Sequence, residues 1–119
     1  MTIGQVMIHV TTLDKARAFY IDTLGLKVKA DLSSELGMLI MENEGCFFTI
    51  HQGYKPAVVA FEQCKTAIIL KVDDIEKSKA ELTAKNVEMY GDINETPVHR
   101  YQVIKDFDGN WIEVAQFKS

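Results

Sequence analysis

Val10-Thr-Thr-Leu-Asp-Lys-Ala-Arg-Ala18 and Val72-Asp-Asp-Ile-Glu-Lys-Ser-Lys-Ala80 repeat one pattern, so that position 10 recurs as position 72 in a chain of 119. In each copy an apolar run enters a polar pair and then a helix, so the chain reads as two like units in tandem. Thr11 with Asp14 and Asp73 with Glu76 have capping-box spacing, in which side-chain oxygens satisfy the first free helix N–H groups. The first helix carries Leu13, Ala16, Phe19, Tyr20 and Leu24 at three- and four-residue steps, then meets Gly25, a residue that accepts the left-handed conformation ending a helix. The second carries Ile75 and Leu82 on a weaker, alanine-lined face and stops near Asn86, with one residue of slip between the copies; it is expected to be the more exposed helix.

Strands read at 3–11, 26–31, 36–42 and 46–52, then at 66–72, 87–91, 98–105 and 110–117, with Gly and Asn/Asp between them. Each half is a βαβββ module, 1–52 and 66–119, joined by a connecting segment at 53–65. That segment holds Ala57-Val-Val-Ala-Phe61, an apolar patch expected to pack on the core or else to cover an interface. One helix covers one face of each module's sheet and leaves the other bare. Setting two bare faces opposite each other gives an α+β fold, a curved mixed sheet around a central cleft, and small-molecule sites favour such concave places.

The composition, 47% apolar and 25% charged with two prolines and seven glycines, is that of a folded globular domain rather than a disordered or fibrous chain. A net charge of −4 with scattered signs supplies neither a phosphate-tracking stripe nor a membrane-seeking basic patch, so nucleic acid is not expected as a partner. No apolar run reaches membrane-span length and the amino terminus lacks a leader pattern, which makes the cytoplasm the expected compartment. Cys46 and Cys64 form no CxxC and read as free thiols. The motifs of dinucleotide, nucleotide, zinc-protease and serine-hydrolase sites are absent.

Thr12-Leu-Asp-Lys-Ala-Arg-Ala-Phe-Tyr-Ile-Asp-Thr-Leu-Gly-Leu26 resembles the "DLdrAiaFYrdvLGL" stretch of the glyoxalase / bleomycin-resistance / extradiol dioxygenase group, the vicinal oxygen chelate superfamily. Asp106-Phe-Asp-Gly-Asn-Trp-Ile-Glu113 is similar to that superfamily's "DPdGnxiEl", with Phe107 in place of the usual proline. The resemblance implies the tandem-module fold and a homodimer. It also implies four inward positions, on the first and last strand of each module, that carry metal ligands in the metal-dependent members. Motif count puts Gln5 and Glu113 at two of them, and the 62-residue offset puts Ala67 at a third; the fourth is His51 by that offset, or Thr49 if Gly45 is aligned with Gly109. Gln5, His51 and Glu113 would be the metal set, with Glu113 also the candidate proton-moving residue, while Ala67 has no atom to offer.

Strand alternation adds Met7, His9, Phe47, Thr49, Ile69, Lys71 and Trp111 to the expected cleft lining, with Val6, Ile8 and Ile112 toward the helices. His9 and Lys71, at matched depth, suit an anionic or carbonyl-bearing ligand, and Trp111 suits stacking on a planar one. Other roles are open to the same residues: a glutamate on a strand commonly faces solvent, Gln5 can hydrogen-bond across the cleft, and His51 stands at a strand end. Asp106-Phe-Asp-Gly-Asn110 reads as a hairpin turn, since position 117, where a calcium loop needs a bidentate glutamate, is Phe117. Two functions follow as expectations. One is a bleomycin-resistance-like protein that binds or sequesters a small molecule without a cofactor. The other is a metal-dependent glyoxalase-like lyase or isomerase, or a dioxygenase, using Ni, Zn, Mn or Fe.

Overall fold

A computed structural model describes residues 1–53, 58–64 and 66–118, the side chains of Asn43, Cys46 and Phe47 excepted. It divides into two compact units, Met1–Val58 and Val59–Ser119. The first runs β1 (Val6–Val10), α1 (Leu13–Ala16) continuing as π-helical turns over Arg17–Thr23, β2 (Lys27–Leu32), a short α2 (Ser33–Leu36), β3 (Met38–Asn43) and β4 (Cys46–Gln52). The second runs β5 (Ile68–Lys71), α3 (Ile75–Ala84), β6 (Tyr90–Glu95), β7 (His99–Lys105) and β8 (Trp111–Phe117). The sheets are ordered β1-β4-β3-β2 and β5-β8-β7-β6. In each, the first strand lies parallel to the last and the other neighbours are antiparallel. The tandem βαβββ architecture expected from the repeat is therefore present, and no described helix is long and apolar enough to cross a membrane.

Three local expectations need correction. The helix caps are one residue later than the box spacing suggests: the Thr12 hydroxyl accepts from Lys15 N at 3.4 Å and the Asp74 carboxylate from Lys77 N at 3.0 Å, which preserves the 62-residue offset. Residues 33–36 turn helical, closed by Gly37 at φ 64°, so β3 starts at Met38 rather than at 36. The strand read at 87–91 lies at Tyr90–Glu95, because Asn86 takes φ 64° and Val87 N bonds back to Leu82 O at 3.0 Å, holding the chain to the helix end.

Each core lies between a helix and one sheet face. Ile8, Val10, Leu39, Met41, Phe48 and Ile50 are buried against Leu13, Ala16, Phe19 and Tyr20 in the first unit. Val6 shares their alternation but, as the first residue of β1, stays 43% exposed. Ile104, Ile112 and Val114 are buried with Ile75 and Leu82 in the second. In the π-helical turn Leu24 N bonds Phe19 O, five residues back, at 2.9 Å, and the consecutive aromatics Phe19 and Tyr20 are both buried.

Candidate functional site

Two glutamines fix which sheet face is which. The Gln52 side-chain oxygen accepts from Leu13 N at 3.0 Å, at the start of α1, and that of Gln116 accepts from Ile75 N at 2.9 Å, at the start of α3. Both satisfy a first-turn N–H that a helix cannot satisfy itself. Their side chains point to the helix, so the residues alternating with them, Thr49 and His51 on β4 and Glu113 and Ala115 on β8, occupy the helix-free face. The helices follow the 62-residue offset, but these glutamines are offset by 64.

The ladders agree with the glutamines. Met7 is opposite Thr49 on the parallel pair of the first unit, and Ile69, the repeat counterpart of Met7, is opposite Glu113 in the second. Thr49 is therefore the first-unit counterpart of Glu113, and His51 is the counterpart of Ala115. The positions that the resemblance marks for ligands are Gln5 and Thr49 in the first unit and Ala67 and Glu113 in the second. His51 lies level with His9, four residues along the chain from Gln5, and the Gln5 side chain is held by Thr49 instead.

On the helix-free face of the first unit the buried Thr49 hydroxyl donates to the Gln5 amide oxygen. His9 and His51 meet edge to face with ring centroids 5.7 Å apart. Met7 is 48% exposed. Phe47, the other residue assigned to this face, has a side chain outside the described residues.

On the corresponding face of the second unit, Trp111 is on the expected side of the sheet yet buried. Its indole N–H donates to Val59 O at 2.8 Å, Phe61 and Tyr90 meet its ring edge to face at 5.7 and 4.8 Å, and Lys105 Nζ lies 5.2 Å from the ring centre. Part of the apolar connecting segment thus packs on Trp111, while Ala57 lies outside the described residues. The tryptophan is a core anchor of this face and not an open stacking surface. The turn before it is the hairpin read from sequence: Asp106 Oδ1 accepts from Asp108 N at 2.9 Å and Asn110 N at 2.8 Å, and Oδ2 accepts from the Asn110 amide at 2.8 Å.

Farther along the same face lies a residue that sequence reasoning missed. His99 Nε2 is 3.5 Å from Glu113 Oε1 and its Nδ1 is 2.7 Å from Thr96 Oγ1, while the imidazole makes stacked contacts with Tyr101 at 5.0 Å and Phe117 at 5.3 Å. The signal available was parity: β7 is antiparallel to β8, and His99 pairs with Phe117, which alternates in phase with Glu113. Ile69 and Lys71 stand exposed on β5, with Lys71 opposite Ala115.

The donor chemistry does not fit a resident metal at these positions in either unit. The Gln5 oxygen is taken up by Thr49, Ala67 carries no donor, and Glu113 is set toward His99. Among the described residues no three or more His, Cys, Asp or Glu side chains converge on one point. What the helix-free faces offer instead is apolar and aromatic surface interrupted by a few hydrogen-bonding groups and by Lys71.

Comparison with known proteins fits this architecture. Over 110 residues the chain is 26% identical to the Bacillus subtilis protein called uncharacterized protein YetH, covering 91% of this chain and 92% of that one. The antibiotic binding protein TnmS3 from Streptomyces sp. CB03234 superposes with a TM-score of 0.74 at 25% identity, covering 99% of each chain. The fosfomycin resistance protein FosX from Listeria monocytogenes superposes with a TM-score of 0.78 at 16% identity, over 95% of this chain and 88% of that one, a likeness of fold. The model of the Glyoxalase/Bleomycin resistance protein/Dioxygenase superfamily matches residues 2–114, and the chain belongs to that superfamily.

Proposed function

We propose that the chain binds and sequesters a small organic molecule on its helix-free faces, with no metal at the superfamily's ligand positions. The observation that carries this reading is the register: with Thr49 rather than His51 matched to Glu113, the inward positions hold one strong metal ligand, and a stable site needs about three. Exposed Met7, Ile69 and Phe117 supply apolar contact, and Lys71 supplies a cation for an anionic or carbonyl group. The similarity to an antibiotic binding protein supports the same reading.

The test uses the chain's single tryptophan, Trp111, whose emission reports on this face. EDTA-treated protein is titrated with a panel of aromatic antibiotics that includes bleomycin, and with fosfomycin as a small non-aromatic control. Saturable quenching by an aromatic compound, unchanged when Ni, Zn, Mn or Fe is added and retained in Glu113→Gln, is the expected result. Binding that needs added Ni, Zn, Mn or Fe and disappears in Glu113→Gln would sink the metal-free reading and favour a metal-dependent lyase, isomerase or dioxygenase.

A further inference from the structure

We infer that His9 and His51 form a binding site for a late first-row transition ion, Cu²⁺, Ni²⁺ or Zn²⁺, separate from the superfamily's ligand positions. The two residues are direct neighbours on the parallel strands β1 and β4, paired Cα to Cα on the helix-free face. Their ring centroids lie 5.7 Å apart. Two imidazoles sharing one ion at metal–nitrogen distances of about 2.0–2.1 Å place their centroids roughly 5–6 Å apart, so the rings have that spacing, and a turn of the face-on ring about its Cβ–Cγ bond is what aims a nitrogen of each at one point.

Two further features support it. The Nδ1 atom of His51 is buried and has no hydrogen-bond partner among the described residues, whereas a buried polar atom ordinarily has one. An ion seated between the rings supplies that partner. Imidazole is also the donor that copper, nickel and zinc take readily and that magnesium does not. The pair is displaced from the superfamily positions along both strands, His9 by four residues from Gln5 and His51 by two from Thr49, so it is not a variant of that ligand set. With two protein ligands, an ion here keeps open positions for water or for a chelating molecule. It also ties the first strand of the unit to the last, joining position 9 to position 51.

Isothermal titration of EDTA-stripped protein with Cu²⁺, Ni²⁺ and Zn²⁺, with Mg²⁺ as control, tests the site. The expected result is one ion per chain, no Mg²⁺ binding, and a loss of more than about tenfold in affinity in His9→Phe and in His51→Phe, a ligand being worth at least as much as an outer-sphere partner. Glu113→Gln should bind as the parent does. Absence of binding to the folded parent chain overturns the inference, because a water then suffices for His51. Binding that survives both histidine variants, or that is lost in Glu113→Gln, overturns it too. If the phenylalanine variants do not fold, substoichiometric Cu²⁺ added to the unaltered chain should broaden the ring proton signals of His9 and His51 before those of His99. Equal broadening, or the reverse order, refutes the assignment.

Discussion

Trp111→Ala should be among the most destabilising single substitutions in the chain. The side chain is 7% exposed, meets two aromatic rings and donates a hydrogen bond of 2.8 Å. Deleting a core aromatic of this size costs about 3–5 kcal/mol. The edge-to-face pairs with Tyr90 and Phe61 add to what burial alone provides, so the value belongs in the upper part of that range. The lost hydrogen bond to Val59 O adds a further net cost of about 1 kcal/mol. Trp111→Phe keeps a ring against Tyr90 and Phe61 and should cost about 1–2 kcal/mol. Urea unfolding followed by far-ultraviolet circular dichroism is the assay, because the substitution removes the chain's only tryptophan; equal slopes are required for comparison. A loss below about 1.5 kcal/mol in Trp111→Ala would refute the reasoning: the ring would then not be anchored by residues 59–61, and its face would be open to ligand.

Gln52→Ala and Gln116→Ala should each destabilise by about 1 kcal/mol, the usual worth of an acceptor at a helix start, with similar values for the two; a silent pair in urea unfolding would break the assignment of the sheet faces. The Asp31 carboxyl is held down to about 2 by the Ser33 hydroxyl and backbone N–H and by the Arg17 guanidinium. Its folded-state value lies below the ordinary carboxylate range, so its contribution is present above about pH 4 and lost as pH falls toward 2. Asp31→Asn should therefore flatten the acid limb of stability between those values, and a carbon-detected titration of Asp31 with an ordinary midpoint would count against it. The edge strands of the two sheets, together with exposed Val58 and Val59 of the apolar segment, lead us to expect a homodimer; light scattering at micromolar concentration should give twice the chain mass, and a monomer would oppose this.

The tandem plan was legible because helix starts are written locally: a polar cap and a few apolar residues at helical spacing recur in both halves. What the repeat did not reveal was that its offset drifts. The first helix is one residue longer between its start and its left-handed end, from Leu13 to Gly25 against Ile75 to Asn86, and the π-helical widening absorbs the extra residue. The offset then grows to 63 from β3 to β7, since Met41 pairs with Phe48 and Ile104 with Ile112, and reaches 64 on the last strands. Aligning the last strands at the helix offset moves the match from Thr49 to His51, a two-residue slip that keeps parity and so leaves no hydrophobic signal to expose it. Trp111 shows a different limit: alternation states which side of a sheet a residue takes, but not whether a distant segment such as 59–61 comes to cover it. His99 is not legible in the sequence because only the antiparallel register of β7 on β8, which no local pattern states, brings it to the side of the sheet that holds Glu113.

The glutamine contacts also constrain the order in which each half can form. Leu13 N finds its acceptor 39 residues later and Ile75 N finds its own 41 residues later, each at the far end of the module's last strand. Neither helix start is complete while its chain is still growing past that helix; it is completed only when the returning strand arrives. Closure cost grows with the logarithm of loop length, so loops of 39 and 41 residues are almost equally costly to close. The two halves consequently meet the same entropic threshold. In each, the last helix-start hydrogen bond and the parallel strand pair belong to the same long-range contact, so the two are completed together.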